Sequence, residues 1–381
     1  MTDSLDVLRA IAAIPTAPLH EAAVARHIAA HLKAAGLSIQ PDPYGNLLAR
    51  IHRGEHARPL ALVAHMDHPG LEVTAADGKA LHADVLGGLR PSTLAPGVPL
   101  RLHRDDGAAG GSVQRYRPAD GARRASVEIL AEEEFPSGAF GTLDLPSFVR
   151  DGDLLRLRAA DDLAQCACLV LLAERLAVDD SPMDVTLVFT RAEEIGLVGA
   201  TLVAQAGLLA PDTIVVSLEC SKELPGAEIG GGPVIRVGDA GQAFHPNGEA
   251  LLLAARDRLI QAARRDGMAA PAIQRQLMSG GRCEAGAFQA FGYVTAGMVF
   301  PLGNYHNLGP DGQAAPEYIH THDFLGGIEL LGAVVAEAAS PPLDRRTRLE
   351  EGAVHYERQL ADSALAWRLG ANAAPVSRSQ Q

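Results

Sequence analysis

The chain has 381 residues, a formal net charge of −13 and a composition that is 47% hydrophobic but only 4% aromatic. This length suffices for two domains, and the composition is typical of an Ala/Leu/Val-rich α/β protein rather than a disordered one. The acidic balance argues against a nucleic-acid partner, which would need clusters of Lys and Arg. No apolar run reaches the roughly 20 residues of a membrane helix, so we expect no membrane association.

The first residues and the cysteines bear on where the protein works. The chain starts Met1-Thr2-Asp3 and lacks the basic start and apolar core of a signal peptide. Cys166 and Cys168 lie two apart in a predicted helix, where such side chains diverge, so they make a poor metal or redox pair. We interpret all four cysteines, including Cys220 and Cys283, as buried thiols in a reducing cytoplasm.

The segment before residue 70 has the pattern of an α/β protein. Apolar residues at helical spacing indicate helices, and Gly36 marks the end of the second one. Residues 42–46 form a turn between two short strands. The predicted helices are 4–13 and 20–35, and the predicted strands are 37–40, 47–52 and 60–64.

The middle of the chain differs in texture. Residues 71–157 are rich in Gly, Pro and Arg, and they carry short alternating strands without helical periodicity. This pattern predicts a small β-domain inserted into the host domain.

Helical and strand patterns alternate again from Asp161 onward, as in a parallel βαβ sheet. The predicted elements are helices at 163–176, 197–206, 248–265 and 323–338, with strands at 185–190, 213–219, 273–277 and 293–300. The remaining residues, 340–381, predict one charged helix and a frayed tail.

These patterns predict an α/β fold with a mostly parallel central sheet flanked by helices and a small inserted β-domain. We expect a discontinuous catalytic domain at 1–69 and 156–340. The inserted β-barrel-like domain would span 70–155, and a helical C-terminal extension with a frayed tail would span 341–381.

Acids and histidines follow the hydrophobic runs at five places along the chain. In an open α/β sheet, ligands bind beyond the carboxyl ends of the strands, so these side chains would meet at one edge. Together they predict a hydrolytic site for two metal ions. The residues are His65 and Asp67, Asp161 and Asp162, Glu193 and Glu194, Glu219, and His306.

Each place also has a simpler interpretation. A His-x-Asp pair such as His65 and Asp67 can occur by chance on a loop, and Asp161 with Asp162 can serve only as a helix N-cap. Glu193 and Glu194 can be a solvated charged loop, although Gly196 indicates a shaped turn next to them. Five strand-end positions together are hard to assign to chance.

The sequence resembles the deblocking or TET-type aminopeptidases, which are glutamyl aminopeptidase-like dinuclear metallopeptidases, over roughly residues 5–338. The early position of the insertion, between His65 and Asp161, also favours this family over the aminoacylase and glutamate-carboxypeptidase group. The motifs that carry the resemblance are Tyr44-Gly45-Asn46-Leu47, Ala64-His65-Met66-Asp67, Glu193-Glu194-Ile195-Gly196-Leu197-Val198-Gly199-Ala200, Gly231-Gly232-Pro233-Val234-Ile235, and Gly280-Gly281 before Cys283-Glu284-Ala285.

The resemblance implies a role for each site residue. His65 and Glu219 would hold one metal ion, Glu194 and His306 the other, and Asp161 would bridge the two. Glu193 would act as the general base, and Asp67 would orient His65. Asp162 would be the structural partner of the bridging residue, often through a strained peptide bond. Two divalent ions, zinc or cobalt, would activate a bridging water and stabilise the oxyanion.

The sequence departs from the family pattern at several positions. His68 stands where the family usually has Glu, and Glu219 where it has Asp. Arg282 and Glu284 flank Cys283 in place of a Thr-Asp pair near the substrate pocket, so we take His68, Arg282 and Glu284 as candidate substrate-binding residues. The setting of His306 is also unusual. Glu219 keeps a ligand oxygen, whereas the other changes leave the choice of substrate open.

The resulting expectation is a cytoplasmic metallo-aminopeptidase that removes N-terminal residues from short peptides and forms a homo-oligomer. One alternative is a metal-dependent amidohydrolase acting on N-acyl amino acids or small amides, because Arg282 can pair with a substrate carboxylate. A second alternative is a catalytically silent binding or scaffold protein, against which the complete set of central residues argues.

Overall fold

The computed structural model describes residues 4–55, 57–340 and 345–362. The chain divides into a compact unit, Met1–Ser340, and a second unit, Pro341–Gln381. The helices are α1 (Ser4–Ala12), α2 (Ala22–Ala34), α3 (Ala160–Ala177), α4 (Val198–Gln205), α5 (Pro246–Arg265), α6 (Ala285–Ala290), α7 (Thr321–Ala338) and, in the second unit, α8 (Arg345–Asp362). Short 3₁₀ turns lie at Pro91–Leu94 and Tyr305–Asn307.

Seventeen strands are present in the described part of the chain. They are β1 (Gln40–Pro41), β2 (Leu47–Arg53), β3 (Leu60–His65), β4 (Gly70–Asp77), β5 (Ala80–Leu86), β6 (Pro99–Arg104), β7 (Gly107–Arg117), β8 (Ser126–Ala131), β9 (Phe140–Leu143), β10 (Phe148–Asp151), β11 (Leu154–Leu157), β12 (Met183–Thr190), β13 (Ile214–Lys222), β14 (Val234–Arg236), β15 (Gln274–Gln276), β16 (Val294–Leu302) and β17 (Glu317–His320).

The central sheet has eight strands in the order β1-β2-β12-β3-β13-β16-β14-β15. Its middle four strands, β12, β3, β13 and β16, run parallel to one another. The pairs β1–β2, β2–β12 and β14–β16 are antiparallel, and β14–β15 is parallel. The predicted α/β class with a mainly parallel sheet is confirmed. All parallel middle strands point their carboxyl ends to the same edge, where the predicted residues lie.

Both faces of this sheet are covered, which explains why β3 is buried at all six positions. Successive side chains of a strand point to opposite faces. Leu60 and Leu62 accordingly join the large core under α1, α3 and α7, whereas Ala61 and Val63 join a smaller cluster beneath α4 and α6. This packing fixes the backbone that ends at His65.

The inserted β-domain is a closed six-stranded barrel with the order β4-β5-β8-β7-β6-β9. Its interior is apolar and includes Leu71, Leu102, Val113 and Ile129. Closure removes the exposed strand edges that an open sheet of this size would present.

Strand β11 pairs with β10 on one side and with β17 on the other, in a separate three-stranded sheet. The barrel strands therefore end at Leu143, and the proposed domain limit at residue 155 stays a prediction. Neither this pairing nor β17 itself was predicted from the sequence.

Most other elements lie within a few residues of their predicted bounds, with two informative differences. The strand expected at 37–40 is only a two-residue pairing, Gln40–Pro41, and it is exposed. Strand β13 runs on to Lys222, so Glu219 lies inside a strand rather than at its end. The predicted frayed tail lies outside the described residues. Among the described residues, no helix is both long and apolar enough to cross a membrane.

Candidate metal centre

The predicted acids and histidines converge at the carboxyl edge of the parallel strands. His65 is the last residue of β3, and Glu193 with Glu194 follows β12 directly. Glu219 lies near the end of β13, and His306 lies in the 3₁₀ turn after β16. Asp161 enters the same space from the first turn of α3. The fold thus brings together residues spread over more than half of the sequence.

One half of the site forms around His65, whose side chain is fully buried. Its Nε2 lies 3.3 Å from Asp161 Oδ1 and 3.3 Å from Glu219 Oε1. The same nitrogen lies 4.0 Å from Glu193 Oε2. One imidazole nitrogen therefore faces three carboxylate groups.

The other half forms around His306, which is also buried. Its Nε2 lies 3.4 Å from Glu194 Oε2 and 3.9 Å from Asp161 Oδ2. Asp161 therefore turns one oxygen to each histidine, and a single carboxylate spans the two halves of the site.

Three sets of side chains bring potential metal-ligating atoms within 4.8 Å of one another. They are His65 with Asp161 and Asp162, His65 with Glu193 and Glu194, and Asp161 with Glu194 and His306. Glu219 belongs to none of these sets, although its Oε1 lies as close to His65 Nε2 as Asp161 Oδ1 does.

Three carboxylate oxygen atoms at this centre lack a hydrogen-bond partner among the described residues. Asp161 Oδ1, Glu194 Oε1 and Glu219 Oε2 are buried and accept no hydrogen bond from the described residues. A buried carboxylate oxygen without a partner destabilises the folded state, and a bound cation would remove this penalty. Carboxylate oxygens with imidazole nitrogens are ligands suited to zinc and similar divalent ions. The residues present therefore fit a metal site.

The electrostatics agree with this chemistry. Burial raises the pKa of both Glu193 and Glu194 well above the ordinary value, and repulsion from neighbouring carboxylates adds to it, although the attraction of His65 offsets part of the rise at Glu193. The same two causes raise the pKa of Glu219 to about 7. Burial lowers the pKa of His65, but the attraction of the surrounding carboxylates outweighs it and raises this pKa well above its ordinary value. The cluster thus has a strong demand for positive charge.

Asp67 contacts both the glutamate pair and the His65 ring. Its carboxylate accepts hydrogen bonds from the backbone N–H groups of Glu193 (3.0 Å) and Glu194 (3.1 Å). Its Oδ1 is 3.6 Å from His65 Nδ1, whereas its backbone oxygen is 3.2 Å from that nitrogen. Asp67 therefore holds the glutamate pair through hydrogen bonds and faces the His65 ring with both its carboxylate and its backbone oxygen. That Asp67 orients His65 stays a prediction.

Asp162 lies beneath the centre. Its Oδ2 accepts a hydrogen bond from the backbone N–H of His65, at 3.3 Å, and the Asp161–Asp162 peptide bond is cis. Burial raises the pKa of Asp162 well above its ordinary value. This carboxyl group ties the start of α3 to the end of β3.

Glu317 is a member of the site that the sequence analysis missed. It is fully buried on β17, and one of its oxygens accepts hydrogen bonds from the backbone N–H groups of Ala160 (2.8 Å) and Asp161 (3.1 Å). Its other oxygen accepts from the backbone N–H of His306, at 2.9 Å. Glu317 thus joins the segments that carry the shared carboxylate and the second histidine.

Arg236, also missed, is almost fully buried beside Glu219, with Nη1 3.9 Å from Glu219 Oε2. It donates hydrogen bonds to Ser221 Oγ and to the backbone oxygen of Gly281. The sequence gives one indication of its role, because an arginine that follows the apolar Val234-Ile235 in a buried strand needs a charged partner.

The three candidate substrate-binding residues occupy different environments. His68 is buried, with Nδ1 against the backbone oxygen of Asp161 and Nε2 3.0 Å from Asn307 Oδ1. Burial lowers the pKa of His68 to about 4, so the ring is neutral. Glu284 is fully buried and accepts a hydrogen bond from Thr190 Oγ1. Of the three, Arg282 alone lines the large cavity beside the centre.

That cavity has a volume of about 650 Å³ and includes Glu219 and Tyr305 in its wall. Three exposed cations, Arg90, Lys222 and Arg282, also line it. Ion pairs between these three and the carboxylates of the described residues are absent from the structure, so their charges are available to an anionic group of a ligand.

Comparison with known proteins gives one family and a set of similar folds. Residues 45–309 match the model of the M42 glutamyl aminopeptidase family. The TET1 peptidase of Pyrococcus horikoshii, which can assemble into a tetrahedron or a large octahedral shell, is 21% identical, with a TM-score of 0.71 over 87% of this chain and 99% of that chain.

Two further archaeal structures are similar. An aminopeptidase from Desulfurococcus kamchatkensis is 18% identical, with a TM-score of 0.71 over 89% of this chain and 97% of that one. A TET aminopeptidase from a marine-sediment Thaumarchaeota archaeon is also 18% identical, with a TM-score of 0.71 over 90% of this chain and 98% of that chain. At these identities the structural likeness concerns the fold.

Proposed function

Because this chain belongs to the M42 glutamyl aminopeptidase family, whose members are metal-dependent peptidases, we propose that it removes N-terminal residues from short peptides with the help of two divalent ions. The observation that carries the proposal is the position of Asp161, whose two oxygens face His65 and His306 separately. One carboxylate between two nitrogen ligands is what a paired metal site requires.

In this proposal His65 and Glu219 would hold one ion, Glu194 and His306 would hold the other, and Asp161 would be shared between them. Zinc or cobalt suits this mixture of nitrogen and oxygen ligands. When bound, the ions supply Lewis-acid polarisation of the scissile carbonyl and favour ionisation of water.

Glu193 is the proposed general base. Its carboxylate is buried at the centre and lies 4.0 Å from His65 Nε2. It takes a proton from the attacking water as the new carbon–oxygen bond forms. It then returns that proton to the leaving amine when the carbon–nitrogen bond breaks. The hydrogen bonds from the Glu193 and Glu194 backbone to Asp67 keep this side chain in place.

The cations Arg90, Lys222 and Arg282 suggest which peptides are preferred. A cavity with three available positive charges favours substrates whose first side chain is acidic. The same charges keep the deacylase alternative open, because an N-acyl amino acid presents a free carboxylate to the same surface.

A panel of substrates separates these possibilities. Purified protein loaded with zinc or cobalt is assayed on glutamyl-, leucyl- and lysyl-nitroanilides and on N-acetyl amino acids. The proposal predicts cleavage of the aminoacyl substrates, with glutamyl fastest. Hydrolysis of the N-acetyl compounds alone would support the deacylase, and two bound ions without any hydrolysis would contradict both.

We extend the proposal to assembly and location. The similar TET1 peptidase from Pyrococcus horikoshii can assemble into a tetrahedron or a large octahedral shell, which supports a homo-oligomer here as well. All four cysteines are free and buried, as suits a reducing cytoplasm. Light scattering coupled to size exclusion would test the assembly, and a mass of about one chain would contradict it.

A further inference from the structure

The ring of His306 is held from several sides. Tyr305 stacks on it with ring centroids 3.8 Å apart, and Nε2 faces Glu194 and Asp161. Gly88 lies against the opposite, Nδ1 edge of the ring. Gly88 belongs to the barrel, two residues beyond the end of β5.

The contact between Gly88 and His306 leaves no room for a side chain. A Cβ built on Gly88 would lie 2.2 Å from His306 Nδ1 and 2.5 Å from Cε1. Gly88 does not have a positive φ, so the close approach, and not the backbone conformation, requires glycine here. The preceding Gly87 packs on Pro69, where its Cβ would lie 3.1 Å from the Cα atom. The turn thus fits between the loop after His65 and the ring of His306.

We infer that Gly88 of the inserted barrel is a positioning residue for the second metal ligand, an inference that rests on the proposed two-metal function. Its backbone lies against the Nδ1 edge of the ring, and this close approach keeps Nε2 directed at the centre. Groups behind a metal-binding histidine commonly fix the orientation of its ring. The barrel is therefore part of the metal centre, but only of its His306 half.

A role for Gly88 in the His306 half alone predicts that its substitution weakens the binding of only one of the two ions. Gly88→Ala pushes against His306, so the ion held by His306 and Glu194 binds about 10–100-fold more weakly, whereas the ion at His65 stays. Metal content by elemental mass spectrometry then falls from two ions per chain towards one, and titration with Co²⁺, followed by absorbance, gives both affinities. Gly332→Ala is the matched control, because Gly332 on α7 has no atom within 4 Å of an added Cβ. It should keep two ions with wild-type affinity.

A double-mutant cycle on the metal-free protein tests the contact itself. Gly88→Ala should lower the melting temperature of the wild-type chain but leave that of His306→Ala almost unchanged, because the smaller side chain at position 306 vacates the space. Equal destabilisation in both backgrounds would place the effect in the barrel and overturn the inference, as would unchanged affinity of Gly88→Ala for the second ion. If the wild-type chain binds no metal, the proposed function fails, and the metal-free cycle still decides whether Gly88 supports His306.

Discussion

The two histidines of the centre are held in contrasting ways. His65 ends a fully buried parallel strand, and its position follows from the packing of the sheet. His306 lies in an irregular turn with a φ of 54°, and neighbouring Asn304 and Asn307 also have positive φ values. Contacts from elsewhere, including Glu317 and Gly88, keep His306 in place. One half of the site therefore comes from the fold, and the other depends on individual contacts.

Removal of the carboxylate shared by the two halves should affect metal binding in both of them. We expect Asp161→Ala to lose both ions and all measurable peptidase activity, because Asp161 contacts both halves. Elemental mass spectrometry and the nitroanilide assay check this. A variant that retains two ions would refute the bridge. Asp151→Ala, which changes an exposed aspartate on β10, serves as the control.

Removal of the proposed base should leave both halves intact. Glu193→Gln keeps the size and position of the side chain but removes its basicity, so we expect two bound ions and a loss of roughly 10²–10⁴-fold in kcat. Metal content and steady-state kinetics are measured on the same preparation. Near-normal kcat would exclude Glu193 from this role.

Glu317 supports one half of the site more than the other, because its hydrogen bonds hold the His306 backbone and the start of α3 but not β3. In Glu317→Gln an N–H donor faces a backbone N–H, and the affinity for at least one ion should fall about 10–100-fold. Co²⁺ titration measures this. The exposed Glu329→Gln is the matched control and should bind as the wild type does. Unchanged affinity in Glu317→Gln would mean that the turn holds His306 without this carboxylate.

The smallest effect is expected at the cavity wall. Arg282 is exposed, so one contact to a substrate carboxylate contributes about 1 kcal/mol or less, which is roughly a fivefold change. Arg282→Ala should raise KM for glutamyl-nitroanilide by about this factor and leave KM for leucyl-nitroanilide unchanged. Arg101→Ala, on the barrel, is the control. An equal rise for both substrates would remove Arg282 from the recognition of charge.

The same contrast explains what the sequence could reveal. An apolar run that ends in His65, or in the pair Glu193 and Glu194, marks a strand end, and the carboxyl ends of parallel strands share an edge. The fold class, the barrel insertion and the convergence of these residues were therefore predictable. The extension of β13 past Glu219 was not, since strand ends are the least certain part of such predictions.

The contacts around His306 left little trace in the sequence. Glu317 follows His306 by eleven residues, and the pairing of β17 with β11, together with its bridge to Gly303, returns it to the centre. Gly88 is one of 39 glycines, and its close approach to His306 depends on how the barrel meets the host domain. Burial of His68 and Glu284 away from the large cavity likewise depends on tertiary packing that has no local pattern.

Anomalous diffraction from crystals grown with zinc would show directly whether two ions lie on either side of Asp161. We expect two peaks per chain. One should lie about 2.0–2.2 Å from His65 Nε2 and a Glu219 oxygen, the other at the same distance from His306 Nε2 and a Glu194 oxygen, with Asp161 contacting both. A single peak, or none at saturating zinc, would contradict the account.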